Sequence, residues 1–395
     1  MKFSDKYTNL DLLRSVAVLS VVSAHMWHTC VRFHICTENL LVSQFLHNFS
    51  ITGVTFFFVH TCLVLMLSMH RAPDAHRARN FLVRRAFRIY PLCWAAILLV
   101  LGTSLTDLPN DSLHALGWRG ILANLLLVQN LFKSRSVPSI IGPLWSLPWE
   151  VQMYLVLPFF FAVLRRFNWL GTVFLIWLGA TMLAVVGTQP QLSHMAWTLF
   201  PPMFIAGMVS YRLLMRKSAQ PRAYALPAWG WPLFVLILFV IEPLLVGGHE
   251  MYSPVSAAIN SCNCFVLSLA IPSFHELTAG WIVRPAQQIA KYSYSVYLLH
   301  VPAIIFCFLY FPDLPLALKI PVALAFTALL SFVSFHVIED PFIRLGKRLT
   351  QSEAPAQAAV DAPFFDQCFS AKPDVAMCHL PGKEETSPNA QEVVE

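Results

Sequence analysis

Apolar residues come in long runs along this chain, and short basic groups separate the runs. The first run covers about residues 10–28. Others follow at about 49–69, 90–106, 142–161, 169–188, 197–215, 229–247, 254–274, 289–311 and 318–338. A helix rises about 1.5 Å per residue, so about 20 apolar residues cross the roughly 30 Å hydrocarbon core of a bilayer. The pattern predicts an all-α integral membrane protein, a bundle of about ten transmembrane helices. One further run, 118–132, is short. Counting it as a span would reverse the sidedness of every basic group after it, so it reads as a re-entrant or interfacial helix.

The basic groups orient the bundle. Residues 70–91 hold Arg71, Arg77, Arg79, Arg84, Arg85 and Arg88 against one acid, Asp74. Loops so rich in arginine stay in the cytosol. Arg165 with Arg166, the group from Arg212 to Arg222, and Arg344 with Lys347 and Arg348 fall on the same side. Both termini are therefore expected in the cytoplasm. Lys133 and Arg135 fall on the other side, in a longer segment where the rule weakens. The division predicted is a transmembrane domain over residues 1–350 and a disordered cytoplasmic tail over 351–395, rich in Ala, Pro, Glu and Gln.

Composition agrees with the pattern. Of 395 residues, 57% are hydrophobic and 12% charged, about half the charge of an average soluble domain. The 31 phenylalanines and 11 tryptophans suit lipid-facing and interfacial positions. The net charge of +6 is spread over the loops and gives no reason to expect a nucleic-acid partner. The nine cysteines show no metal-ligand spacing, so no metal is expected. Cys30 and Cys36 could pair if their loop faces an oxidising compartment, whereas Cys262 and Cys264 lie inside an apolar run and read as packing. The first run carries Arg14 and His25 without a small-residue exit, so a cleavable signal peptide is not expected.

Ionisable residues inside apolar runs are the candidates for chemistry, because burying them in a bilayer is costly and usually marks a cavity. Ten residues separate Arg14 from His25. At about 100° per residue they share one helix face, about 16 Å apart along the axis. With Arg14 near one surface, His25 would sit near mid-membrane. Asp11, one turn before Arg14, is expected to pair with it. Arg85 and Arg88 are i, i+3 neighbours, a forked pair suited to phosphates. Glu150 lies in the fourth run, with Gln152 and Tyr154 close by. His60 and Thr61 in the second run and His300 in the ninth are polar groups at membrane depth.

Several segments, in chain order, resemble acyltransferase family 3, the membrane-bound O-acyltransferases of the O-antigen, peptidoglycan and nodulation-factor acetylase type. They are Arg14 with His25 and Asp11; Phe57 to Leu63, with Thr61-Cys62 where the family has Ser-Gly; and Arg85 and Arg88 before Ile89-Tyr90-Pro91. The remainder are Leu144 to Tyr154 with Glu150 at the acid, Ser293 to His300, and Glu339 with Pro341. The likeness covers about residues 7–348. It implies a minimal ten-span bundle in a bacterial inner membrane. The implied reaction moves an acyl group, often acetyl, from cytosolic acyl-CoA to a hydroxyl of an extracytoplasmic or lipid-linked glycan. No bound cofactor is implied, since acyl-CoA is the donor substrate.

Under that reading Arg85, Arg88 and Arg14 would hold the donor at the cytosolic rim. His25 would take the acceptor's proton or form an acyl-histidine. Glu150 would orient His25 or bind the sugar, and Asp11, Tyr154 and His300 would line the substrate path. The rival from another class is a proton-coupled transporter or flippase, which also uses intramembrane His, Glu and Arg. No internal repeat favours it.

Overall fold

The computed structural model describes residues 7–72, 76–108, 116–131, 137–166, 170–189, 198–219 and 225–350. The expected tail over 351–395, and Asp74, Lys133, Arg135 and Arg222 of the charge argument, lie outside the described residues. The described chain is helical, with a single isolated bridge between Leu226 and Phe274. Its helices are α1 (Thr8–Arg32), α2 (Leu40–Arg71), α3 (Arg77–Thr103), α4 (Gly117–Leu125), α5 (Leu147–Arg166) and α6 (Leu170–Gly187). They continue as α7 (Pro201–Ala219), α8 (Gly230–Val246), α9 (Pro254–Ala270), α10 (Gly280–Tyr310), α11 (Leu316–Ser334) and α12 (Asp340–Leu349).

Among the described residues, eight helical segments are long and apolar enough to cross a membrane. The 17-residue apolar α8 and the 19-residue α7 complete the ten runs of the sequence pattern. The protein is a multi-pass, all-α membrane protein. Hydropathy placed the runs well but shortened several helices, because a helix continues past the apolar core into polar sequence. α2 starts at Leu40 rather than near 49, since the Asn39 side chain accepts from the amides of Leu41 and Val42. α3 starts at Arg77 rather than near 90, so the arginine-rich stretch forms its first turns and Arg85 and Arg88 are helical neighbours, as their spacing required. The run at 118–132 contains only the nine-residue α4, about 14 Å long and too short to span.

α2 is the central element. It lies almost wholly inside the bundle, between α1 on one side and α7 on the other. Two glycines permit the close approach. A Cβ on Gly53 would lie 2.2 Å from Ser20 Oγ and 2.7 Å from the Ala17 carbonyl of α1. A Cβ on Gly207 of α7 would lie 2.6 Å from the Val59 carbonyl and 2.7 Å from Cys62 Cβ. Small residues at crossings let membrane helices approach backbone to backbone. Gly53→Ala should therefore force α1 and α2 apart and cost about 1–3 kcal/mol, read as a lowered thermal unfolding midpoint in detergent.

α1 pairs with α10 from the far end of the sequence. Ser15 donates to the Ala286 carbonyl at 2.6 Å, and Arg14 Nε donates to Ser293 Oγ at 2.6 Å. His25 meets His300 further along both helices. The two helices therefore run parallel.

At the end of the bundle away from the N-terminus, residues 105–108 and 137–146 fold over the helices. Buried Asn124 organises this cap. Its amide donates to the Gly120 and Pro138 carbonyls, and its oxygen accepts from the Ile140 amide. Gly142 completes the cap, because a Cβ there would lie 2.1 Å from Asp107 Oδ2.

Candidate active site

The predicted site residues fall into two polar levels, joined by α1 and α10. The first level holds guanidiniums and carboxylates. Arg14 and Ser15 are adjacent in sequence, yet their partners Ser293 and Ala286 are seven residues apart on α10. The Arg14 side chain therefore extends forward along α10, away from the N-terminal end. Arg14 lies within electrostatic reach of Arg88, Glu339, Glu150 and Asp11. Arg88 sits 3.7 Å from Glu339, and the second carboxylate oxygen of Glu339 accepts from Ser295 at 2.7 Å. Tyr154 donates to Glu150 one turn away on α5. Arg85 interacts with both Glu150 and Tyr154, and its Nε is buried with no hydrogen-bond partner. Buried His60 of α2 faces Arg14 and Arg88.

The second level is a pair of imidazoles. His25 and His300 stand edge to face, with ring centroids 4.9 Å apart and planes at 75°. Each makes the same local bond. His25 Nδ1 bonds the Val21 carbonyl and His300 Nδ1 bonds the Val296 carbonyl, each at 2.9 Å and four residues back on its own helix. A carbonyl only accepts, so Nδ1 must carry the hydrogen in both rings. The neutral tautomer then leaves Nε2 as the basic nitrogen. His300 is fully buried, and its Nε2 has no hydrogen-bond partner. Tyr297 borders the pair at 6.4 Å from the His300 ring, and its hydroxyl bonds the Pro143 carbonyl and Ser146 in the cap.

One placement differs from the sequence reading. Glu150 does not orient His25. It sits with the arginines, while His25 takes its orientation from its own helix and from His300. Arg14 starts six residues into α1 and reaches further in, and Arg85 and Arg88 lie two and three turns inside α3. Asp11 lies beside Gln287 and within electrostatic reach of Arg14 and Glu276.

Glu339 was visible in the sequence only within its Glu-x-Pro. Its closure onto Arg88 depends on the π-turn at Phe335–Glu339, which follows α11 and re-aims the next side chains. No spacing rule announces that turn. Ser293 and His60 were visible as polar residues in apolar runs, but which neighbour each would meet is a tertiary property.

A family model described as an acyltransferase domain matches residues 7–336. A peptidoglycan O-acetyltransferase OatA of Listeria monocytogenes is 24% identical over 391 residues, an overlap of 87% of this chain and 57% of the relative. An O-acetyltransferase OatA of Staphylococcus aureus is 24% identical over 381 residues, covering 87% and 58%. A putative peptidoglycan O-acetyltransferase YrhL of Bacillus subtilis is 26% identical over 380 residues, covering 86% and 55%. The chain thus spans a little over half the length of these relatives. No solved structure matches.

Proposed function

Because the chain belongs to this membrane acyltransferase family, acyltransferase family 3, we propose that it moves an acyl group, acetyl in the first instance, from acyl-CoA to a glycan hydroxyl. The donor's phosphates and amides meet the arginine level from the N-terminal side, the cytosol in this reading. The glycan hydroxyl meets the imidazole level from the opposite side. The membrane is then a bacterial inner membrane. The names of the relatives make peptidoglycan the first acceptor to try.

The observation that carries the reading is a pair of orphaned groups of opposite kind. Arg85 Nε is a buried donor without an acceptor, and His300 Nε2 is a buried acceptor without a donor. Other buried side-chain atoms also lack a hydrogen-bond partner, Glu339 Oε1 among them, but these two stand one at each polar level, where a substrate would supply the missing partner. A phosphate or amide carbonyl satisfies the first, and a hydroxyl satisfies the second. A donor substrate threaded between the levels and an acceptor hydroxyl at the far one would supply both.

The chemistry follows from the tautomers. Nε2 of His25 takes the proton as the hydroxyl oxygen attacks the thioester carbon. The C–O bond forms, the C–S bond breaks, and CoA leaves as the thiol after protonation. A positioned base contributes about 10²–10⁴ in rate. Tyr154 and Glu150 fix the guanidiniums that hold the donor, and Asp11 braces the N-terminal end of α1 through Gln287.

The test is release of free CoA from acetyl-CoA by protein in nanodiscs, with soluble peptidoglycan fragments as acceptor. Release that requires both acceptor and protein supports the reading. Uptake of a solute without CoA release would point to a carrier instead. Arg85→Ala should raise the donor KM about 10- to 100-fold, the loss expected of one or two charge-assisted hydrogen bonds, with kcat largely retained. An unchanged donor KM would remove Arg85 from the donor site.

A further inference from the structure

The imidazole pair does not end at His25. His28, three residues on and therefore on the same face of α1, has its ring centroid 6.5 Å from that of His25. His47 of α2 lies 6.4 Å beyond His28. The series leads from His300, which is fully buried, through half-buried His25 to exposed His28 and His47. It therefore runs from the bundle interior to the surface at the end away from the N-terminus. The other charged group that acts on His28 is exposed Asp107 of the cap. His47 faces His25 and His28, and His300 faces His25.

A separation near 6.5 Å between imidazole centroids leaves room for one water between ring nitrogens, since two bent hydrogen bonds of about 2.8 Å span about 5 Å. Imidazole both accepts and donates near neutral pH, so such a row can pass a proton in steps. We propose that His28 and His47 form the proton exit of the transfer site. They would carry the acceptor's hydroxyl proton from His25 to water on the side where the acceptor binds. The proposal rests on His25 being the base.

The balance of the step is definite. The acceptor O–H bond breaks and its proton passes from His25 Nε2 to His28, His47 and water. The acceptor oxygen bonds the acyl carbon and the C–S bond breaks. The thiolate takes its proton from water on the donor side. Each CoA released then consumes one proton on the donor side and frees one on the acceptor side. If His25 instead returned the proton to the thiolate, no proton would appear on either side.

The experiment uses proteoliposomes with acetyl-CoA outside and soluble peptidoglycan fragments and a pH-sensitive dye inside, in weak buffer. Wild type is expected to free about one luminal proton per CoA. His28→Ala with His47→Ala is expected to slow CoA release about 10- to 100-fold, with the donor KM unchanged and the rate restored by added imidazole. His28→Gln with His47→Gln serves as the isosteric pair if the alanine pair fails to fold. Absence of luminal acidification, full speed in the double variant, or a loss that imidazole does not restore would overturn the exit. His25→Ala run alongside separates the two ideas. If it is silent while the double variant runs at full speed, only the exit fails. If it retains release, the base fails and the exit with it.

Discussion

His25→Ala is expected to lower CoA release by two to four orders of magnitude while the protein still inserts and keeps its unfolding midpoint. The expectation comes from what the ring touches. His25 is half-buried, spends its Nδ1 hydrogen on the Val21 carbonyl of its own helix, and meets His300 edge to face. Removing it leaves the helix backbone intact and opens the space beside His300 rather than stranding a charge. The loss therefore falls on proton transfer, a term of about 10²–10⁴. His25→Asn should not restore activity, because an amide can imitate the hydrogen bond but cannot accept the proton. Steady-state CoA release beside a thermal unfolding curve checks both halves. Activity within about tenfold of wild type would sink the assignment of the base.

Glu339→Ala is expected to act on stability first. Its carboxylate is buried, 3.7 Å from Arg88 and 2.7 Å from the Ser295 hydroxyl. Taking one partner from a buried ion pair costs up to about 3–5 kcal/mol, and here less, because Arg88 also acts on Glu150. Replacing both members with apolar residues is often near neutral. Arg88→Leu with Glu339→Leu should therefore recover much of the midpoint that Glu339→Ala loses, but not donor binding. Thermal unfolding of the two singles and the double in one detergent makes the comparison. A double variant no more stable than Glu339→Ala would mean that the pair does not set the stability of this level.

The local parts of this site were legible in the sequence. Arg14 and His25 share a face because helix geometry requires it, and Arg85 with Arg88 declare themselves by spacing. What the sequence left hidden is partnership. The partner of Arg14, Ser293, lies 279 positions away and no local spacing points to it. Glu150 looked like a partner for His25 because both were intramembrane ionisable groups. The fold gave Glu150 to the arginines, and the imidazole that meets His25 is 275 positions away, at residue 300. The extra turns of α2 and α3 were missed for a related reason. Caps and basic first turns extend helices beyond the bilayer core, where a hydropathy window sees only polarity.

The pairing of α1 with α10 has a consequence for how the chain is made. The bond from Arg14 to Ser293 closes a separation of 279 residues. At about 5–20 residues per second of synthesis, α1 waits roughly 15–55 s before its partner helix exists. During that interval a guanidinium and an imidazole sit in a lone helix without the partners they have in the bundle, and ionisable groups in an inserted helix are costly. What can shelter α1 meanwhile is α2, the next helix made, whose Gly53 lies against Ala17 and Ser20. That small-residue crossing is thus a nascent-chain clasp as well as a packing contact. Ribosome-stalled chains ending before residue 280 should depend on it far more than the finished protein does, and Gly53→Ala should lower the yield of inserted chains by more than its effect on the finished protein's midpoint accounts for.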